Sequence, residues 1–198
     1  MCRSIWFSIV LIVAGCSSPE LEPLDTGSRI LAFGDSLTLG VGGRKERSYP
    51  AMLSQLTGLE VINSGVSGET TDDGLLRFEQ ELEQVQPSLV ILIEGGNDIL
   101  QNRKSKVTKS NLAAMISLSR TRKIPVILIG VPEKRLFSNS APLYEELANE
   151  TGVIFDGTLL AGLLRTPAYK SDPIHLNEQG YRAMAEAIYA LLQTHGAI

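Results

Sequence analysis

From residue 29 onward, short apolar runs alternate with longer stretches of helical periodicity. The apolar runs, each of strand length, lie at 30–33, 59–62, 89–93, 126–131 and 153–155. The stretches with helical spacing lie at 49–57, 71–85, 107–122, 141–150 and 177–193. Because the strand runs are continuously apolar, we expect helices to bury both faces of the sheet, as is typical of parallel strands. The pattern therefore predicts one α/β domain, a five-stranded parallel sheet inside a three-layer α/β/α sandwich.

The first 28 residues lie outside this alternation. Arg3 precedes a short apolar run, 5–13, which is too short for the roughly 20 residues that cross a bilayer as a helix. Small residues then precede Cys16, and the stretch 13–16 resembles a bacterial lipobox, in which the cysteine becomes lipidated. We therefore predict a signal peptide over 1–15, a lipidated tether over 16–28 and the folded domain over 29–198.

This interpretation places the protein in a bacterial cell envelope, held to a membrane through the lipid on Cys16. Two alternatives remain open. One is an ordinary cleaved signal that happens to contain a cysteine, and the other is an anchor that is not cleaved.

Composition excludes several classes of function. The chain has 18 basic and 22 acidic residues, a net charge of −4, and is a poor candidate for binding nucleic acid. It contains only two cysteines and two histidines, and Cys2 and Cys16 both fall in the predicted export segment. The folded domain therefore cannot supply the cysteine and histidine ligands of a common zinc site. Any mechanism that needs an imidazole must use His175 or His195.

Four loops carry polar side chains that could react. In chain order they contain Gly34-Asp35-Ser36, Gly65-Val66-Ser67-Gly68, Gly95-Gly96-Asn97-Asp98 and Ser171-Asp172-Pro173-Ile174-His175. Each motif alone is weak, because glycine and serine after a strand are usual turn residues and Asn-Asp is a usual helix cap. An aspartate three residues before a histidine is also often plain loop. Their joint occurrence at the carboxyl ends of parallel strands, where ligands bind in such sheets, favours an active site.

The residue types suit acyl transfer. The Ser36 hydroxyl is a poor nucleophile unless a base takes its proton. His175 is the candidate base, because His195 lies four residues from the chain end, where order is often poor. Asp172 could accept from the other ring nitrogen and fix its tautomer. Three donors could stabilise the tetrahedral oxyanion, namely the backbone N–H groups of Ser36 and Gly68 and the side-chain amide of Asn97.

The four blocks resemble those of the SGNH (GDSL) hydrolase family, over about residues 29–193. The chain is most similar to its bacterial arylesterase, acyl-CoA thioesterase and lysophospholipase group. The resemblance implies a flavodoxin-like sandwich, Ser36 as nucleophile, no cofactor, and hydrolysis of ester or thioester bonds. The chain departs from that group at 101–106, which is polar and basic, and at 132–141, so the acyl preference is not implied. This segment begins a cluster of basic residues, Arg103, Lys104, Lys106 and Lys109. The cluster is either the solvated start of a helix or a binding site for anionic lipid headgroups.

The sequence leaves three functions open. The first is a lipid-tethered serine ester hydrolase acting on lysophospholipids, aryl esters or acyl thioesters. The second is a carbohydrate O-acetylesterase, since short acetyl esters need the same machinery and a smaller pocket. The third is a lipoprotein that binds a ligand without turnover.

Overall fold

A single parallel sheet forms the centre of the molecule. The computed structural model describes residues 20–133 and 139–198. The strands are Arg29–Gly34 (β1), Glu60–Gly65 (β2), Leu89–Ile93 (β3), Val126–Ile129 (β4) and Ile154–Asp156 (β5). They are ordered β2-β1-β3-β4-β5, and every neighbouring pair is parallel. The direction of winding therefore reverses between β1 and β3, which is where sheets of this kind form a ligand crevice.

Helices cover both faces of the sheet. They are Ser36–Leu39 (α1), Tyr49–Thr57 (α2), Thr71–Val85 (α3), Gly96–Leu100 (α4), Ser105–Thr121 (α5), Pro142–Thr151 (α6), Leu159–Arg165 (α7) and Glu178–Thr194 (α8). α2 packs against α8 on one face, and α5 packs against both α3 and α6 on the other. β3 is buried at every position because it lies in the middle of the sheet beneath both layers. The predicted α/β/α sandwich with five parallel strands is confirmed.

The boundaries differ from the predicted ones in a few places. β2 continues to Gly65, although Asn63, Ser64 and Gly65 have loop-like composition, because they pair in register with the end of β1. β4 ends at Ile129 rather than at residue 131. The short helices α1, α4 and α7 have four, five and seven residues, too few for an apolar periodicity to show in the sequence.

The described part of the predicted tether packs against the C-terminus of the chain. The backbone N–H groups of Leu21 and Leu24 donate to the carbonyls of His195 and Ala197, both at 2.8 Å. Both leucine side chains pack against the hydrophobic core. His195 is the C-cap of α8, so it is held in place rather than lying in a loose end.

Cys16, the signal peptide over 1–15 and the first part of the tether lie outside the described residues, and the division at residue 28 stays a prediction. Among residues 20–133 and 139–198, no helix is long and apolar enough to cross a membrane.

Candidate active site

The loop after β1 places Ser36 at the carboxyl edge of the sheet. α1 starts at Ser36, and Asp35 caps it by accepting the N–H of Leu37 at 3.0 Å. Gly34 lies so close to β3 that a Cβ there would come within 1.9 Å of the Ile93 carbonyl oxygen. β1 can therefore pack this closely against β3 only with glycine at this position, and the turn that follows presents the Ser36 side chain at the end of the sheet.

Ser36, His175 and Asp172 form a continuous hydrogen-bonded chain. His175 Nε2 lies 3.0 Å from Ser36 Oγ, and His175 Nδ1 lies 2.7 Å from Asp172 Oδ2. The other carboxylate oxygen of Asp172 accepts the backbone N–H groups of Ile174 and His175, both at 2.8 Å. Burial would raise the pKa of Asp172, but the bond from the His175 ring and the two backbone bonds hold it below its usual value. An ionised carboxylate thus faces the imidazole, as a base–orienter pair requires.

The loop that carries the histidine is held at both of its ends. Lys170 and Leu176 form an isolated antiparallel bridge across its base. Asn177 is the N-cap of α8, and its side-chain oxygen accepts from the N–H of Gly180 at 3.0 Å. Its amide nitrogen donates back to the Ala168 carbonyl at 2.8 Å. These bonds fix the approach of His175 to a serine that is 139 residues away in sequence.

The second and third loops bring possible oxyanion donors to the same edge. Gly68 has a φ of 81°, a left-handed conformation that favours glycine, and this conformation rather than crowding explains the residue. The side-chain amide of Asn97 donates to the Glu69 carbonyl at 2.8 Å and lies 3.5 Å from Asp35 Oδ2. The short first bond fixes the amide plane, and the long second bond to Asp35 is the weaker of the two, the one that an oxyanion could replace.

Two buried carboxyl groups lie behind the serine. Asp35 and Glu94 are 3% and 0% exposed, so neither is solvated by bulk water. Burial raises the pKa of Asp35 to about 6. The hydrogen bond from the Leu37 N–H and the nearby His175 have the opposite effect, but it is smaller. Burial and the charge of Asp35 raise the pKa of Glu94 well above its usual value. Oε2 of Glu94 has no hydrogen-bond partner among the described residues, which fits a protonated side chain.

A cleft of about 460 Å³ opens beside Ser36 and Asn97. Most of its lining is apolar and comes from α4, α7 and the loops after β4 and before α8. Its apolar members are Leu37, Ile99, Leu100, Val131, Pro132, Ala161, Leu164, Pro173 and Ile174. Arg165, Lys170 and Glu133 are the charged side chains in the lining besides Asp35. A second cavity of about 600 Å³ lies at the amino ends of β3, β4 and β5, and its described lining includes none of Ser36, Gly68, Asn97, Asp172 and His175.

Two of the four basic residues that follow Asp98 form ion pairs. Arg103 forms an ion pair with Asp72, and Lys109 pairs with Glu146 at 3.0 Å and Glu150 at 2.8 Å. Arg103 thus joins the loop before α5 to α3, and Lys109 joins α5 to α6, which favours the solvated helix start over a headgroup site.

Two groups that hold the loops were not predicted from the sequence. Asp98 accepts from the Thr71 N–H at 2.8 Å and from its hydroxyl at 2.6 Å, which ties the third loop to the start of α3. Arg77 and Glu69 form a buried pair beneath the second loop. The only available signal was the position of Arg77, three residues after the buried Gly74 on the inward side of an amphipathic helix.

Comparisons with known proteins agree with this fold. The profile of the GDSL-like lipase/acylhydrolase family matches residues 32–183. An arylesterase of Vibrio mimicus is 33% identical over 178 residues, which cover 84% of this chain and 89% of that protein. An uncharacterised lipoprotein of Bacillus subtilis, YqeF, is 30% identical over 65% of this chain and 56% of its own length. The crystal structure of the esterase EstA from Pseudoalteromonas superposes with a TM-score of 0.77, at 20% identity over 84% of this chain and 97% of that one.

The buried Asp35 predicts a pH-dependent change in stability. An unfolded aspartate loses its proton near pH 4, whereas folded Asp35 keeps it to about pH 6, so this group lowers the free energy of unfolding as the pH rises through that window. Asp35→Asn removes the charge and keeps an acceptor for the Leu37 N–H. We expect the stability of the variant relative to wild type to increase between pH 4 and pH 7, measured by urea unfolding.

Asp25→Asn is the control, because Asp25 is exposed and the Ser28 hydroxyl and the Gly27 N–H lower its pKa. Its stability relative to wild type should not increase over the same range. A difference between Asp35→Asn and wild type that is the same at both pH values would contradict the assignment.

Proposed function

The chain belongs to the GDSL-like lipase/acylhydrolase family and is a serine ester hydrolase, and we propose that Ser36 is the nucleophile that accepts the acyl group. One observation carries this proposal. The ring of His175 bridges Ser36 and Asp172 at 3.0 and 2.7 Å, which is hydrogen-bond distance on both sides. A protein that merely bound a ligand would have no need of this ordered chain.

The reaction follows from these contacts. His175 Nε2 takes the hydroxyl proton as Ser36 Oγ attacks the ester carbonyl carbon, and Asp172 stabilises the imidazolium that results. The carbonyl oxygen becomes an oxyanion that accepts from the N–H groups of Ser36 and Gly68 and from the amide of Asn97. His175 then gives its proton to the leaving alcohol or thiol. A water molecule, deprotonated by His175, attacks the acyl-enzyme and releases the carboxylic acid and free Ser36.

The cleft supports an acyl chain longer than acetyl as the group that Ser36 accepts. It holds about 460 Å³ and has nine apolar residues in its lining, far more than a methyl group could contact. Burying each methylene of a substrate in such a cleft is worth about 0.8 kcal/mol. Aryl esters, lysophospholipids and acyl thioesters with an acyl chain of this kind are therefore the proposed substrates. A carbohydrate O-acetylesterase would use only a small part of this surface.

We also propose that the mature chain begins at Cys16 and is held in a bacterial cell envelope by a lipid on that residue. The lipobox-like stretch 13–16 supports this, and so does the similarity to a Bacillus subtilis lipoprotein. The signal peptide would be 1–15, and the tether would join Cys16 to the folded domain.

Loss of the Ser36 hydroxyl should abolish turnover. We expect Ser36→Ala to lower kcat for p-nitrophenyl esters by more than about 10⁴-fold, because no acyl-enzyme forms. Asp172→Asn should cost less, about 10²–10⁴-fold, because the nucleophile and base remain while the base loses its orienting charge. Ser110→Ala, an exposed serine on α5, should leave kcat unchanged. Hydrolysis by Ser36→Ala at the wild-type rate would refute the mechanism.

The cleft predicts a rising preference along a series of p-nitrophenyl esters. From acetate toward medium chains, kcat/KM should increase by up to about fourfold per methylene, which corresponds to 0.8 kcal/mol. Leu164→Trp should fill the cleft and remove this gain while sparing the acetate. Leu76→Trp is the matched control, because Leu76 is 85% exposed on α3. Highest activity on acetate or on an acetylated sugar would instead support the O-acetylesterase.

Lipidation can be tested by growing a bacterial host that expresses the full chain in radioactive palmitate. Wild type should retain label and Cys16→Ala should lose it, because Cys16 is the proposed site of acylation. Cys2→Ala should stay labelled, since that residue belongs to the segment removed. An unlabelled wild-type chain would rule the anchor out.

A further inference from the structure

The guanidinium of Arg77 lies directly beneath the Gly68 loop. Its Nε and Nη2 donate to the two carboxylate oxygens of Glu69 at 2.7 and 2.5 Å. Nη2 also donates to the Ser64 carbonyl at 2.9 Å, and Nη1 donates to the Ser64 hydroxyl at 2.5 Å. All three nitrogens are thus used, and together they join the residue after Gly68 to the end of β2.

The same guanidinium is held from below. Its carbon lies 4.0 Å from the centroid of the Phe33 ring, a cation–π contact, and Phe33 is itself fixed by an edge-to-face contact with Phe78. Phe33 is the residue before Gly34 in β1, two positions before Asp35 in sequence. The Gly34 carbonyl accepts the N–H of Val66 at 3.0 Å, so β1 and the Gly68 loop are bonded to each other as well. Arg77 therefore has a fixed position relative to β1, the strand that leads to Ser36.

Glu69 connects Arg77 to the proposed oxyanion donors. Its side chain is only 4% exposed, and its carbonyl accepts the amide of Asn97 at 2.8 Å. The Gly68 N–H lies one residue before Glu69. The Glu69 backbone thus connects two of the three proposed donors, and Arg77 holds its side chain by a bidentate bond. If the Glu69 side chain moved to find solvent, the Gly68 N–H and the Asn97 amide would both turn.

We propose that Arg77 is a positioning residue for the oxyanion site, acting through Glu69 on the Gly68 N–H and the Asn97 amide. It contacts no substrate. This inference rests on the proposed function, because it takes Gly68 and Asn97 as oxyanion donors. It makes a specific claim about kinetics, since the oxyanion exists only after Ser36 has attacked and the geometry of its donors therefore affects the transition state more than substrate binding.

The central variant is Arg77→Met, which keeps the length of the side chain and removes its donors. Loss of one aligned oxyanion donor lowers turnover by about 10²–10³-fold, so displacement of two donors that are still present should lower kcat by about 10- to 100-fold. KM should change by less than about threefold. Turnover is expressed per active enzyme molecule, counted by end-point labelling of Ser36 with a fluorophosphonate, so that unfolded protein does not contribute.

An alkylboronic acid gives a second measurement that a merely structural role would not move. It forms a tetrahedral adduct on a serine, so its inhibition constant should rise by about the same factor as kcat/KM falls. Arg77→Lys should give an intermediate loss, because an ammonium can reach Glu69 but cannot reproduce the planar fork that joins it to Ser64. If Arg77→Met does not fold, Arg77→Lys decides the question by the same two measurements.

Arg122→Met is the matched control. Arg122 pairs with Glu79 at 2.8 Å and Glu83 at 3.4 Å, both on α3, and its side chain is 28% exposed against 22% for Arg77. It bridges α5 to the helix that carries Arg77 but lies away from the Gly68 loop, so kcat per labelled site should stay at the wild-type value.

Three results would overturn the proposal: a kcat per labelled site within about threefold of wild type in the Arg77 variant, a loss confined to KM, or an equal loss in Arg122→Met. Ser36→Ala separates this failure from a failure of the proposed function. If Ser36→Ala is inactive and Arg77→Met keeps its kcat, only the positioning role of Arg77 is wrong. If Ser36→Ala remains active, the oxyanion scheme itself falls.

Discussion

The position of β1 between β2 and β3 is the constraint on which the site depends. The strand is in register with both neighbours through Gly34, so the loops that follow the three strands leave the sheet at the same edge. The backbone hydrogen bonds that pair β1 with β2 and β3 therefore set how far apart Ser36, Gly68 and Asn97 lie. His175 comes from elsewhere in the chain, and its loop is fixed separately through the Asn177 cap of α8.

Much of this could be predicted from local sequence. The five apolar runs identify the strands, and the Ser36, Gly68 and Asn97 blocks follow the carboxyl ends of β1, β2 and β3. The supports of the site could not be predicted in the same way. Arg77 and Glu69 are eight positions apart and look like ordinary surface charges, and Asp98 looks like a helix cap. Their roles depend on which loop lies above them, and that is decided by the packing of the whole sheet.

The termini show the same limit. The Pro- and Ser-rich composition of 17–28 predicts a tether, and the position of His195 predicts a loose end. Each prediction considers one terminus alone. In the fold Leu21 and Leu24 bond to the carbonyls of His195 and Ala197, so each segment orders the other. The burial of Asp35 and Glu94 could not be predicted from the sequence either. Burying these two carboxyl groups lowers the free energy of unfolding, and the packing of the rest of the core offsets that loss.

The docking of Leu21 and Leu24 also has a consequence for orientation. These residues line the cavity at the amino ends of β3, β4 and β5, whereas Ser36 lies at the carboxyl edge. The six residues of β1 span about 20 Å between the two edges. The four residue-to-residue steps from Cys16 to Glu20 reach at most about 14 Å. A lipid on Cys16 would therefore be held near the amino edge of the sheet, and the cleft would open on the side of the domain away from that lipid.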